Sequence, residues 1–195
     1  MEVKSLSAFE AAVVDNVAKA MVKAIEQAIV VGDGVAKPQG IATTTVSDTK
    51  RNVTLSSKLT YQDLVNIIKA TPSASRTGTV LTMNEATFWD FMSITDNNGQ
   101  PVGKVNFGTD AEPAYMLMGR KVITTDFLPD LTSADKVVAY AVNYDNYILN
   151  TAADADLVEY YDYPTRTHVY QSVALVDGKL VDDNGLVLIK TPASK

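Results

Sequence analysis

Cysteine is absent from the 195 residues, and histidine occurs once, as His168. The first absence removes disulfides and thiolate metal ligands. The second means that any histidine-dependent triad or multi-histidine metal site would have to be built around a single side chain. No uninterrupted apolar run reaches the roughly 18–20 residues that a membrane helix needs. The opening Met1, Glu2, Val3 and Lys4 lead into neither an apolar core nor a small-residue cleavage site, so no signal peptide is expected. Basic side chains are the minority, 17 against 23 acidic, giving a net charge of −6. A dedicated nucleic-acid binder usually carries a basic stripe. That class is disfavoured, whereas a protein that encloses nucleic acid without gripping it is not. The expectation is a chain made and kept in the cytosol, with no membrane partner.

An apolar fraction of 46% and a charged fraction of 21% suit a folded domain. Phe9, Val13, Val14, Val17, Met21, Ile25, Ala28 and Ile29 recur at three- and four-residue steps, which predicts a helix from Leu6 to Val31 with one buried stripe. At 1.5 Å per residue this is a rod of roughly 39 Å. On that reading Ile25→Asp is among the worst single changes, costing several kcal/mol. Ser7 with Glu10 has the form of a capping box, and Gly32 is placed to close the helix in the left-handed conformation.

Beyond it, residues 43–57 read as strand or loop. Thr60 opens a second helix through Leu64, Ile67 and Ile68, stopped near Pro72. Residues 80–83 make a short buried strand, and Asn84 caps a third helix over 85–94. Residues 96–99 form a turn. The stretch 97–114, rich in glycine and proline, is expected to be a mobile loop serving subunit contacts. Residues 115–124, 137–142 and 147–150 read as strands. Residues 157–163 and 168–176 alternate well enough for a paired ribbon, and Asp177-Gly178 and Asp183-Asn184-Gly185 read as hairpin turns. Helices and strands mix without βαβ regularity, so the fold class is α+β.

Each apparent site has a plainer structural reading. Gly32-Asp33-Gly34 follows a helix, whereas phosphate loops precede one. Residues 96–99 and 182–185 lack the acidic residue that closes a calcium loop. Asp154, Asp156, Glu159 and Asp162 read as a solvated face, and His168 as an ordinary ribbon residue. No Ser lies in a Gly-x-Ser-x-Gly elbow, and no carboxylate pair stands out for glycoside chemistry. Phe88, Trp89, Phe91 and Met92, at helical spacing, read as core. Alternation sends Tyr161 and Tyr163 to one face of the ribbon and Tyr160 to the other, offering aromatic area for an interface. No catalytic, cofactor-binding or metal residue is assigned, no cofactor is expected, and the chain does not read as an enzyme.

Several segments, in order, resemble the major capsid proteins of tailed phages, with the Hong Kong 97-type fold. The helix running into Gly32-Asp33-Gly34 and then Lys37-Pro38-Gln39-Gly40-Ile41 resembles the junction after that family's spine helix. Val80-Leu81-Thr82-Met83-Asn84 resembles its strand ending in Met-Asn, ahead of the helix with Thr87 and Phe88. Asp96-x-x-Gly99 resembles its following turn. Leu117-Met118-Gly119-Arg120-Lys121-Val122 is similar to a Leu-x-Gly-x-Pro-Val strand, with Lys121 in place of the proline. Phe127-Leu128-Pro129 is similar to the Met-Pro after it, and Asp177-Gly178-Lys179-Leu180-Val181 to the late Asp-Gly-x-Val hairpin. The match runs from about Leu6 to Lys190.

The resemblance implies a peripheral subdomain over 1–33 and 153–176, and an axial subdomain over 34–152 and 177–195. It implies copies of the chain as partners, in pentamers and hexamers that form an icosahedral head around DNA. It also implies a portal, a scaffold and a maturation protease as further partners, synthesis in the host cytoplasm and residence in the virion. Met1 lies close to the spine helix, so the expectation is a core without the N-terminal arm and extended loop, unable to close shells alone. Lysine–asparagine cross-linking is not carried over. The alternatives are an encapsulin-type nanocompartment shell protein and, from another class, a small ligand-binding or hydrolytic α+β domain.

Overall fold

A computed structural model of the chain describes residues 6–95, 100, 103–106 and 114–193. In order, the elements are α1 (Leu6–Val31), β1 (Asn52–Thr54), α2 (Tyr61–Ala70), β2 (Val80–Met83), α3 (Glu85–Met92), β3 (Gly103–Asn106), β4 (Ala114–Leu117), β5 (Arg120–Thr124), β6 (Val137–Val142), β7 (Tyr147–Asp162), β8 (Thr167–Leu180) and β9 (Val187–Lys190). They divide into two units. One holds Met1–Gly40 and Leu149–Lys179; the other holds Ile41–Ile148 and Leu180–Lys195.

The first unit is α1 with the β7–β8 ribbon. The helix begins at Leu6, so Ser7 lies inside it and is not its cap. The stripe has the expected phase, but Val13, Val17, Met21 and Ile25 are only half-buried and Val14 is exposed. A carboxylate at Ile25 would therefore keep some access to water and cost less than full burial implies. Gly32 does not take the left-handed conformation; Gly34 does, at φ 73°. Gly32 is required for proximity instead. A Cβ there would stand 2.0 Å from the Pro38 carbonyl oxygen, and one at Gly40 would stand 2.4 Å from the Gly32 nitrogen. The Gly40 N–H donates to the Gly32 carbonyl at 3.0 Å, and the Gln39 N–H to that of Gly178 at 2.7 Å.

That second bond explains another departure from expectation. Asp177-Gly178 makes no turn; it lies inside β8, with Gly178 buried. Likewise residues 147–150 are the start of the long strand β7 rather than a strand of their own.

The second unit is built on a seven-stranded mixed sheet in the order β1-β9-β6-β2-β5-β4-β3. β1 runs parallel to β9 and β2 to β5, while the remaining neighbours are antiparallel. β6 lies between β9 and β2 and is buried from Val138 to Val142, so both its faces are covered. Leu64 and Ile67 of α2 and Phe88 and Phe91 of α3 join Leu81, Met83, Ala139, Ala141, Val187 and Ile189 in one core.

Caps fix where these helices begin. The Asn84 side chain accepts from the Ala86 N–H at 2.9 Å and donates to the Leu128 carbonyl at 3.0 Å. Asp63 in the first turn of α2 is 3% exposed and accepts from the backbone N–H and hydroxyl of both Ser56 and Thr60, at 2.7–3.2 Å. Burial pushes the Asp63 carboxyl up, but the Thr60 and Ser56 donors outweigh it and hold the group below its ordinary value.

Two expectations on the sheet's far side are corrected. Residues 115–124 are not one strand: Met118 at φ 49° and Gly119 at φ 78° make a tight two-residue turn between β4 and β5. The 97–114 loop is interrupted by β3, paired antiparallel with β4 from Gly103↔Leu117 to Asn106↔Ala114. Ladder bonds there oppose the fast exchange expected of a free loop. The turn at 96–99 lies outside the described residues. Asp183-Asn184-Gly185 does turn, the Leu186 N–H donating to the Asp183 carbonyl at 3.0 Å, but it leads from the ribbon into the sheet and is no hairpin.

Asp63→Asn should cost about 1–3 kcal/mol at neutral pH by disrupting buried charge-assisted bonds. Because the folded pKa is depressed, this stability is fully present above the unfolded value of about 3.9 and is lost as pH falls through the folded one. Denaturant melts between pH 7 and pH 3 should show a shallower acid loss in the variant than in the parent. A second pair of variants separates crowding from conformation. Gly40→Ala must displace backbone and should cost at least about 1–3 kcal/mol. At Gly119 an added Cβ meets nothing within 4 Å, so Gly119→Ala should cost only the left-handed penalty of about 1–2 kcal/mol. A Gly40→Ala midpoint equal to the parent's would contradict the close approach at Gly40.

Candidate assembly surfaces

The ribbon presents two chemically different faces. Along β8, Ser172, Ala174, Val176 and Gly178 are half-buried or buried, while Gln171, Val173, Leu175 and Asp177 are exposed. The inner set is small. The Ser172 hydroxyl donates to the Met21 sulfur at 2.8 Å, which identifies the face on which α1 packs. The outer set contains Val173, 54% exposed, and Leu175, 60% exposed. On β7, Val158 and Tyr160 lie on one face by alternation, and both are exposed. Aliphatic side chains held outward on a strand do not contribute to the folding of the isolated chain. Clustered in this way, they have the character of a contact surface.

The ribbon tip is aromatic and polar together. Tyr161 meets Tyr163 edge-on with ring centroids 5.1 Å apart, and it meets His168 at the same separation. His168 Nδ1 lies 3.2 Å from a Glu159 carboxylate oxygen, with both side chains at least half exposed. Tyr161 and Tyr163 thus share a side, as alternation predicts, and His168 sits among its ribbon neighbours Glu159 and Tyr161. Asp162 accepts from the Thr165 hydroxyl in the connecting turn. The side chains of Asp154 and Asp156 lie outside the described residues.

In the second unit Phe88 and Phe91 are fully buried, but Trp89 is 47% exposed, a correction to its assignment as core. α3 has eight residues, and its outer side carries Trp89 past Phe88 (centroids 5.6 Å) towards Tyr115 (6.4 Å). The resulting aromatic rim is another exposed surface. Tyr140 is buried in the sheet, and its hydroxyl lies 3.1 Å from that of Tyr144, which in turn lies 2.6 Å from the Thr82 hydroxyl. Burial pushes the Tyr140 phenol far above its ordinary value, so it stays neutral and serves packing.

Among the described residues no three His, Asp or Glu side chains converge as a metal site, and no helix is long and apolar enough to cross a membrane. Gly32, Gly34 and Gly40 serve the backbone crossing at the end of α1. What these surfaces offer chemically is contact with another macromolecule.

Comparison with known proteins follows the same direction. The phage capsid family model matches residues 3–191. The capsid chain of an empty GTA particle, computed with C5 symmetry, superposes with a TM-score of 0.78 at 22% identity, over 94% of this chain and 66% of that one. The corresponding native GTA particle gives 0.78 at 20% identity over the same shares. A chain from Gordonia phage Cozz gives 0.58 at 15% identity, over 100% of this chain and 68% of that one. These likenesses are of fold, and this chain spans 66% of the length of the GTA capsid chains. No curated protein matches the sequence. The α+β architecture is that of a capsid protein, and the chain belongs to the phage capsid family.

Proposed function

We propose that this chain builds the head shell of a phage or prophage, its copies joining as pentamers and hexamers into an icosahedral container for DNA. On this reading the protein is structural and not an enzyme, and it is made in the host cytoplasm and resides in the virion. Portal, scaffold and maturation protease are its further partners. The α1 helix and the ribbon, residues 1–33 and 153–176, form the peripheral subdomain, while 34–152 and 177–195 form the axial one. DNA is enclosed without sequence-specific binding, in keeping with the net charge of −6.

The observation that carries the reading, beyond family membership, is the outer face of the ribbon. Val173 and Leu175 stand exposed opposite a small-residue face that packs on α1. A protein that functioned alone would gain nothing from aliphatics placed there, whereas a subunit would cover them with a neighbour. The nanocompartment shell and the ligand-binding domain have no observation of their own in their favour.

Val173→Asp with Leu175→Asp should therefore weaken self-association while leaving folding within about 0.5 kcal/mol, as expected for exposed positions. Sedimentation velocity at rising concentration, paired with denaturant melts, measures both. A doubly substituted chain that associates as strongly as the parent would remove the ribbon face from the assembly. A parent that stays monomeric throughout would count against the shell reading itself.

A further inference from the structure

Beside the β4–β5 turn lies an open cleft of about 610 Å³ carrying Arg76, Arg120 and Lys121. Among the described residues no Asp or Glu lines it. Arg120 opens β5 directly after the Met118-Gly119 turn and is half-buried, and its guanidinium donates to the Arg76 carbonyl at 3.2 Å. That bond draws the two arginines into one wall. Burial, and then the neighbouring Arg76 charge, lower the Arg120 pKa. Among the described residues the ion pairs are Lys19–Asp15, Arg51–Asp48 and His168–Glu159, and none involves these three cations. Arg76 and Lys121 are exposed and Arg120 half-buried, and a like charge beside a half-buried cation raises the cost of its ionisation until an anion joins them. A planar guanidinium fork fits a carboxylate or phosphate in two-point fashion.

The surroundings favour carboxylates. Nucleic-acid affinity grows with the number of phosphates neutralised. Three cations offer few such contacts. A second copy brings 23 acidic side chains against 17 basic ones, which makes it an acidic partner for a basic cleft. We propose that the Arg76–Arg120–Lys121 cleft receives an acidic segment of a second copy of this chain, fixing the orientation of one subunit against the next. The proposal rests on the shell reading and adds to it a charged, salt-sensitive contact in the second unit, separate from the apolar face of the ribbon.

The test has two arms. In the first, hexaglutamate peptide and a six-nucleotide single-stranded DNA are each titrated into the 15N-labelled chain at low salt. The peptide should move the amides of Gly78, Gly119 and Arg120, and Arg76→Gln with Arg120→Gln should weaken it at least tenfold. Arg76→Gln alone leaves intact the carbonyl that Arg120 uses, so it supplies a folded variant if the double one is damaged. In the second arm, sedimentation equilibrium should show the same variants weakening self-association at least tenfold, with added salt doing likewise to the parent. Failure of the peptide to bind would overturn the proposal. So would tighter binding of the DNA at the same amides, which would make the cleft a nucleic-acid contact. If peptide binding is lost but self-association is unchanged, the second copy is excluded as occupant and the shell reading stands. If the peptide binds but the parent never self-associates, both fail together.

Discussion

The backbone crossing at the end of α1 is the constraint from which the first unit is organised. The end of α1, the turn just after it and the distant end of β8 meet there through main-chain bonds, from Gly40 to Gly32 and from Gln39 to Gly178. Backbones can approach this closely only where Cβ atoms are missing, and both Gly32 and Gly40 are placed where a Cβ would overlap a neighbour. The Gly32 carbonyl, just past the helix end, is thereby satisfied, and the Gly32 N–H returns to the Ala28 carbonyl. The base of β8 is tied to the turn after the helix, and the ribbon projects from a fixed point. The Ser172–Met21 contact then holds the small-residue face of β8 against the half-buried stripe of α1.

What was legible in the sequence is what local chemistry decides. The helix from Leu6 to Val31, the Thr60 and Asn84 helix starts, and the strands over 80–83 and 137–142 all follow from periodicity and capping. The capsid resemblance rested on motifs scattered along the chain, and the fold shows two of them in contact. Asn84 of the Met-Asn motif donates to Leu128, next to Pro129, and Thr125 donates to the Met83 carbonyl.

What was not legible depends on distant partners. Asp177-Gly178 has turn chemistry, but its carbonyl is claimed by Gln39, 139 positions earlier, and it stays extended. Met118-Gly119 lacks the Asn or Asp that usually marks a two-residue turn, so the β4–β5 hairpin was hidden inside one apparent strand. β3 was masked by its glycine and its weak pattern, and becomes a strand because β4 offers a free edge. Trp89 sits at core spacing on a helix too short to bury every aromatic it carries. The basic cleft joins residues 44 positions apart through a backbone carbonyl, a relation that no motif records.

The two ends of the seven-stranded sheet carry a consequence for how such a protein can be stored. Its outermost strands are β1, of three residues, and β3, of four. Short edges give little purchase for another strand to add on. A subunit that must accumulate to high concentration before use is exposed to growth in one dimension, by continuing its own sheet into a fibre. The long edges are those of the ribbon, β7 of 16 residues and β8 of 14, while at this sheet crowding favours attachment through side-chain faces. Contacts of that kind are reversible and directional, and a misplaced copy can leave before the next arrives.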